Sequence, residues 1–327
     1  MSQFRRLACQ TLLLLSNFSA FAVSQHSFDT SDYVISEPWL TGPLLAPAGV
    51  TVPKGHTNIE PYLFITDAYG IYGSNWRMHS IDSTQAVNPV LILTHGLADR
   101  LDFQAALPYL FSFKNGHEYN SLGDINLLFG IQAIKSDVWP NLRITVGETF
   151  PSGRYQDLIA YRSGVDSTGA GAYQTVIGAN FQKSLRLWHG RVLRTRLDFA
   201  FSTAPTVQVS GFNSYGGGFG TSGTIDPGDK YSVDLGLEFT LTQHWVPALD
   251  VVYAHQELTR FKGIAGTTAT GMAATNGSTG YNLISLAPAM EYNFTPSFGV
   301  IAGAWFSVAG KGTADFTSAV IAVNYYI

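Results

Sequence analysis

The chain has little of what soluble enzymes and nucleic-acid-binding proteins usually depend on. It contains one cysteine in 327 residues, Cys9, so an internal disulfide and a metal site built from several thiolates are both excluded. Charged residues make up only 13% of the chain, against about 25% in ordinary soluble domains. The formal net charge is -4, and a chain with this balance offers no basic surface to nucleic acid.

Long hydrophobic runs are also missing. Beyond the first 22 residues no apolar stretch approaches the ~18 residues of a transmembrane helix, which argues against a helical membrane protein. Aromatic residues reach 13%, glycine numbers 33, and the mean hydropathy is only +0.09. Few charges, many aromatics and moderate hydropathy are typical of a barrel that is apolar outside and polar inside.

Residues 1–22 are predicted to form a secretory signal peptide. A positively charged start, MSQFRR, precedes an apolar run from Leu7 to Leu15, and the small-residue motif Ala20-Phe21-Ala22 follows. These are the three parts of a cleavable signal, so we place the cleavage after Ala22. The apolar run is too short for a transmembrane anchor.

Residues 23–56 form the second predicted region. Four prolines interrupt any helix or strand there: Pro38, Pro43, Pro47 and Pro53. We expect this segment either to lie in the periplasm or to thread into a barrel lumen as a plug.

The third region, residues 57–327, alternates apolar and polar residues in short runs. In the last run Ala319, Ile321, Val323 and Tyr325 alternate with Ser318, Val320, Ala322 and Asn324. Because side chains in a strand point to opposite faces in turn, each run predicts one lipid face and one lumen face. The runs predict an all-β protein: a transmembrane, antiparallel, up-and-down β-barrel of about twelve strands.

The connections between these runs support that architecture. Short turns fall at every second junction, and the intervening connections include 151–171, 203–229 and 256–280, which are long and rich in Gly, Ser and Thr. An even strand number then puts both termini on the periplasmic side. Trp139, Trp188 and Trp245 lie in or beside short turns, which predicts an aromatic belt at that membrane interface.

Charged residues on the lumen face are the candidate functional residues. Two hypotheses fit them: they pair across the lumen and close it, or they form a charged path that guides a solute. The pore-lining residues predicted in this way are Asp102, Asp124, Arg143, Arg194, Arg196, Asp198, Asp234, Glu238 and Asp250.

The chain carries no convincing catalytic or metal-binding motif. A barrel phospholipase needs a Ser two residues after a His, so that both lie on one strand face, and none of the eight histidines is followed by Ser at that spacing. No histidine pair has a metal-ligand spacing. The glycines in SYGGGFGTSG (214–223) lack the Lys and the strand-to-helix context of a phosphate loop, so they predict a flexible outer loop. We therefore expect no enzyme activity, no cofactor and no metal.

Several stretches carry a resemblance to a known family. They are TGPLLAPAGVTVPKGHTNIEPYLF (41–64), HGLADRLDFQAALPYL (95–110), LGDINLLFG (122–130) and VGETFPSGRY (146–155). In these stretches the chain resembles the outer-membrane family named for the meta-pathway of phenol degradation. The resemblance implies a single-chain barrel that helps small, often hydrophobic, molecules to cross. It assigns no substrate-site residues.

The sequence therefore predicts a passive channel for small molecules, hydrophobic or aromatic ones among them, in the outer membrane of a Gram-negative bacterium. The alternative is a non-transporting adhesin or structural barrel with a sealed lumen, and a barrel hydrolase is the least favoured reading. The expected partners are outer-membrane lipid, small solutes and the barrel assembly machinery, although the chain ends in Ile327 where such barrels usually end in an aromatic residue. The sequence leaves the oligomeric state open.

Overall fold

The structure is a computed structural model that describes residues 39–187 and 190–327. The predicted signal peptide (1–22), the first part of the predicted 23–56 region and Trp188 lie outside the described residues. Within the described ranges, no helix has the length and apolar character needed to cross a membrane.

Twelve antiparallel barrel strands close on themselves, which confirms the predicted fold. β4 and β5 together make one barrel strand, because both pair with β3. The pairing of β1 with β16 closes the barrel, while β9, β10 and β13 form a separate small sheet. In chain order the strands are β1 (Thr57–Tyr72), β2 (Met78–Ala98), β3 (Leu101–Lys114), β4 (His117–Leu122), β5 (Ile125–Ile134), β6 (Asn141–Phe150), β7 (Gln174–Arg186), β8 (Val192–Thr203), β9 (Val207–Asn213), β10 (Gly216–Asp226), β11 (Lys230–Phe239), β12 (Trp245–Gln256), β13 (Arg260–Ile264), β14 (Tyr281–Thr295), β15 (Phe298–Lys311) and β16 (Thr313–Tyr326).

The outer surface of the barrel is apolar, as the alternation predicts. In β5, Phe129 is 49% exposed, whereas Asn126 and Gln132 on the opposite face are buried. A residue period of two produces this separation, and lipid rather than water is the solvent that favours such a surface. Each of the twelve barrel strands contributes an exposed apolar or aromatic side chain, for example Ile65, Leu91, Phe111, Phe129, Val146, Ile177, Phe199, Leu235, Tyr253, Ile284, Val308 and Ile321.

The two ends of the barrel differ. One end, called the turn end, carries the connections 99–100, 135–140, 187–191, 240–244 and 296–297. The chain enters and leaves the barrel at this end, where the backbone N–H of Thr57 donates to the carbonyl of Ile327 at 2.7 Å. Trp139 and Trp245 are 71% and 47% exposed there, in positions suited to a membrane interface.

The opposite end, called the loop end, is more varied than expected. Three connections are long (151–173, 204–229 and 257–280), but the other three are tight (73–77, 115–116 and residue 312). These three hairpins depart from the predicted alternation of short and long connections. Their strands run on beyond the apolar band instead, and the added part of β2 from Met78 to Ser83 is largely exposed and polar.

The glycine-rich stretch 214–223 also differs from its prediction. Most of it belongs to β10, which pairs with β9 on one side and β13 on the other. The small sheet packs over a cluster of apolar side chains that includes Val207, Val209 and Ile225. Tyr215 joins this cluster and donates its hydroxyl to the carbonyl of Ala170 at 2.7 Å, and burial raises the pKa of the phenol above its usual range. The stretch predicted to be a flexible loop is therefore part of a packed sheet.

Candidate functional site

Residues 41–52, called the inner segment, cross the lumen near the turn end. The whole segment is buried, and the side chains of Leu44, Ala46, Ala48, Val50 and Val52 are fully inaccessible. It has no strand or helix of its own, as expected from its two prolines, Pro43 and Pro47. Its backbone groups must therefore find partners on the barrel wall.

On one side of the lumen the inner segment is held by acidic residues of β12 and β14. The N–H of Thr41 donates to the Glu291 carboxylate at 2.7 Å, and the N–H groups of Leu45 and Ala46 donate to the two oxygens of Asp250 at 3.2 and 3.0 Å. Hydrogen bonds to a carboxylate are stronger than those between neutral groups, so Asp250 and Glu291 anchor this half of the segment.

On the other side the partners come from β3, β5 and β7. The Gly49 N–H donates to Gln182 at 3.2 Å and its carbonyl accepts from Gln132 at 3.0 Å. The N–H of Thr51 donates to the same Gln132 side chain at 2.7 Å. The N–H of Val52 donates to Asp102 at 3.0 Å. Wall side chains thus replace the strand partners that the segment lacks.

The close approach of the inner segment to the wall depends on a glycine of β11. A Cβ at Gly236 would lie 2.6 Å from the Cβ of Ala46 and 2.7 Å from the ring of Pro43. With the segment in this position there is no room for a side chain at residue 236, so the glycine makes space for the segment.

Buried ion pairs lie between the inner segment and the wall. Arg143 contacts Asp102 at 2.7 Å. Arg194 forms a bidentate pair with Glu238, in which both nitrogen–oxygen distances are 2.5 Å. Arg196 lies 3.8 Å from Glu238 and donates to the carbonyl of Ala46 at 2.9 Å. Arg196 therefore contacts both a wall carboxylate and the inner segment.

Acidic residues outnumber basic ones on the lumen face around the inner segment. Three arginines lie there, Arg143, Arg194 and Arg196. Facing them in the described strands are seven buried carboxylates: Glu60, Asp102, Asp198, Asp234, Glu238, Asp250 and Glu291. Seven acidic side chains therefore face three arginines in this part of the lumen.

A lumen cavity of about 110 Å³ lies on the loop-end side of the inner segment. Leu45 and Pro47 of the segment border it, together with wall residues that include Trp305. Asp198 and Asp234, which lie opposite each other on β8 and β11, also border it. A dry cavity of ~150 Å³ holds benzene, so this space is smaller than an aromatic solute needs.

All nine predicted pore-lining residues are buried, and the structure brings most of them together. Asp102, Arg143, Arg194, Arg196, Asp198, Asp234, Glu238 and Asp250 lie on the inner face of the barrel around the inner segment. Asp124 lies apart, in the break between β4 and β5. Its carboxylate accepts the N–H groups of Gly153 and Ala170 at 2.9 and 2.7 Å, so Asp124 holds the 151–173 loop.

Four wall residues that hold or neighbour the inner segment were missed by the sequence reasoning. Glu60, Gln132, Gln182 and Glu291 all lie on inward faces of strands. The signal was present for Glu60, Gln132 and Glu291, because apolar or aromatic residues flank each of them, as in NIEPY (58–62). Gln182 lies between Phe181 and Lys183, so its alternation is weaker.

Histidine chemistry finds no support among the described residues. His255 contacts Asn282 at 3.0 Å and stacks near Tyr231, and His117 packs beside the ring of Tyr161. No group of three His, Cys, Asp or Glu side chains in residues 39–187 and 190–327 could hold a metal ion.

Comparison with known proteins identifies the fold. No protein-family model and no curated protein sequence matches the chain. Among solved structures, an outer membrane channel from Pseudomonas putida F1 aligns with a TM-score of 0.64 at 14% identity, covering 85% of this chain and 97% of that one. The translocator domain of the autotransporter NalP from Neisseria meningitidis aligns at 0.44 (11% identity, 84% and 89% covered). A deletion mutant of the monoaromatic hydrocarbon channel TodX aligns at 0.38 (13% identity, 84% and 91% covered). The chain therefore shares the fold of the Pseudomonas channel across nearly all of both proteins.

Proposed function

We propose that the protein is an outer-membrane channel for passive passage of small molecules, with hydrophobic and aromatic ones as its main solutes. The observation that carries the proposal is a closed barrel in which the described residues show an irregular inner segment across the lumen and a cavity beside it. The fold shared with the Pseudomonas putida channel and the motifs of the phenol meta-pathway family point the same way.

Passage requires the inner segment to move. The lumen cavity of about 110 Å³ is smaller than the ~150 Å³ that benzene occupies in a protein. The segment is held by hydrogen bonds and close contacts to the wall without strand pairing of its own, so it can shift while the barrel stays closed. In this proposal the inner segment acts as a gate.

The proposed setting is the outer membrane of a Gram-negative bacterium. The turn end faces the periplasm, since outer-membrane barrels place their short turns there, and both termini then lie in the periplasm. The barrel assembly machinery inserts the chain, and outer-membrane lipid surrounds it.

A sealed, non-transporting barrel is the second candidate. The observation that favours it is the filling of the lumen by the inner segment and the Arg143, Arg194 and Arg196 ion pairs. In that case the function would lie in the packed loops of the loop end, and the segment would stay fixed.

Uptake into vesicles separates the two candidates. The chain from Val23 onward is reconstituted into vesicles with a lipopolysaccharide outer leaflet, and phenol entering them is detected by an encapsulated phenol-oxidising enzyme. A channel is expected to raise the rate of phenol uptake several-fold over protein-free vesicles and to raise the uptake of a disaccharide much less. Phenol uptake equal to that of protein-free vesicles, with a folded barrel present, would favour the sealed barrel.

A further inference from the structure

A second cavity, called the rim cavity, lies at the loop end and has a volume of about 220 Å³. The end of β3, the short 3-10 turn Ala160–Arg162 and the hairpin between β9 and β10 surround it. Its walls include Lys114, Leu158, Ile159, Ser167, Phe212 and Asn213. None of its lining residues borders the lumen cavity, so the two spaces are separate.

Among the described residues Lys114 is the one charged residue that borders the rim cavity, and it is only 5% exposed. No carboxylate of the described residues lies within ion-pair distance of its ammonium group. A buried charge without a counter-ion is unfavourable, so a cavity that contains one is suited to an anion.

The neighbouring polar groups are already engaged with one another. Asp166 accepts the N–H of Ile159 at 2.8 Å and lies 3.8 Å from the guanidinium of Arg154. The Ser167 hydroxyl bonds that of Ser214 at 2.7 Å. The ammonium of Lys114 therefore remains as the main charged donor for a ligand.

The size and walls of the rim cavity limit the ligand further. A cavity of ~150 Å³ holds benzene, so about 220 Å³ holds one ring with a small substituent. Leu158, Ile159 and Phe212 supply apolar surface for the ring. A single cation matches one negative charge, which favours a monocarboxylate over a phosphate dianion.

We propose that the rim cavity binds a small aromatic monocarboxylate, with the carboxylate on Lys114 and the ring against Leu158, Ile159 and Phe212. This site goes beyond the channel function, because binding there requires no passage through the lumen. The loop end would then bind a ligand independently of passage through the lumen.

The test measures benzoate binding to the folded barrel in detergent by isothermal titration calorimetry, with neutral benzamide as the matched ligand. We expect benzoate to bind at least about tenfold more tightly than benzamide, since a charge-assisted contact is lost with the amide. Equal binding of the two ligands, or no benzoate binding to a folded barrel, would overturn the proposal.

Two lysine variants make the test specific. Lys114→Gln is expected to weaken benzoate binding about tenfold or more, while Lys262→Gln, which removes an exposed lysine from β13, should leave it unchanged. Benzoate should also slow reductive methylation of Lys114 in the wild-type protein, read by mass spectrometry, which tests the contact even when the Gln variant folds poorly. Unchanged binding in folded Lys114→Gln, or unchanged methylation, would contradict the assignment.

Ion conductance distinguishes this proposal from the channel function. Lys114→Gln should conduct as the wild type does, because Lys114 does not border the lumen cavity. If the protein binds benzoate but does not conduct, the rim-cavity proposal holds and the channel proposal fails. If it conducts but does not bind benzoate, the channel proposal holds and the rim-cavity proposal fails.

Discussion

Replacing the inner segment (41–52) by a Gly-Ser linker of equal length is expected to raise single-channel conductance several-fold. Twelve buried residues then leave the lumen, and a Gly-Ser chain has neither the apolar side chains nor the stiffness to hold the same path. A twelve-stranded barrel lies between small barrels filled by side chains and porins of 16–18 strands with an aqueous channel. Its open lumen should conduct ions.

The matched control for this replacement is a Gly-Ser linker of the same length in place of residues 266–277. That stretch follows β13 at the loop end, whereas the inner segment crosses the lumen near the turn end. It should leave conductance near the wild-type value. If the segment-free barrel folds, migrates as a heat-modifiable species and still conducts no better than the wild type, then the inner segment does not obstruct the lumen.

The double variant Arg194→Ala/Arg196→Ala has the second large expected effect, on ion selectivity. It removes two of the three lumen arginines and leaves Arg143 against seven buried carboxylates. The lumen should therefore become more selective for cations. The reversal potential in a potassium chloride gradient measures this change, and an unchanged potential would show that ions do not pass these side chains.

The same double variant should also lose stability. Removing one side of a buried ion pair leaves an uncompensated charge and costs about 3–5 kcal/mol, so the midpoint of chemical unfolding should fall. Arg260→Ala is the control, because Arg260 pairs with Asp226 at 3.6 Å while 64% exposed. An exposed pair of this kind is worth about 0–1 kcal/mol, and its loss should be hard to detect. A double variant as stable as Arg260→Ala would contradict the pairing.

The barrel could be predicted from sequence because its signal is local. A strand such as β16 carries its lipid face in Ala319, Ile321 and Tyr325, and the period of two needs no knowledge of other strands. The inward direction of Asp234 and Glu238 follows from the same rule. The part of β2 from Met78 to Ser83 carries a weaker signal, because four of its six residues are polar and no apolar face repeats along it.

The path of the inner segment could not be predicted in the same way. Its contacts join residues far apart in the chain, such as Thr41 with Glu291 and Ala46 with Asp250, and nothing periodic in 41–52 indicates them. The prolines are compatible with both a periplasmic segment and a plug in the lumen, so they do not distinguish the two. The small sheet at the loop end was missed for a related reason, because β10 is rich in glycine and has little strand propensity.

A crosslink between the inner segment and the wall tests the gate most directly. Ala46→Cys/Gly236→Cys places two thiols in a chain that, from Val23 onward, has no other cysteine. The built Cβ at Gly236 lies 2.6 Å from that of Ala46, so the segment must move by roughly 1 Å to reach disulfide geometry. Single-cysteine variants serve as controls and should not respond to reductant.

The decisive measurement is the conductance of this one protein before and after reduction in the same bilayer. If the inner segment must move for the channel to open, the oxidised form should open rarely. Openings should then become more frequent after dithiothreitol is added. Equal conductance in the oxidised and reduced forms, with the crosslink confirmed by mass spectrometry, would contradict a mobile inner segment and with it the proposed route through the lumen.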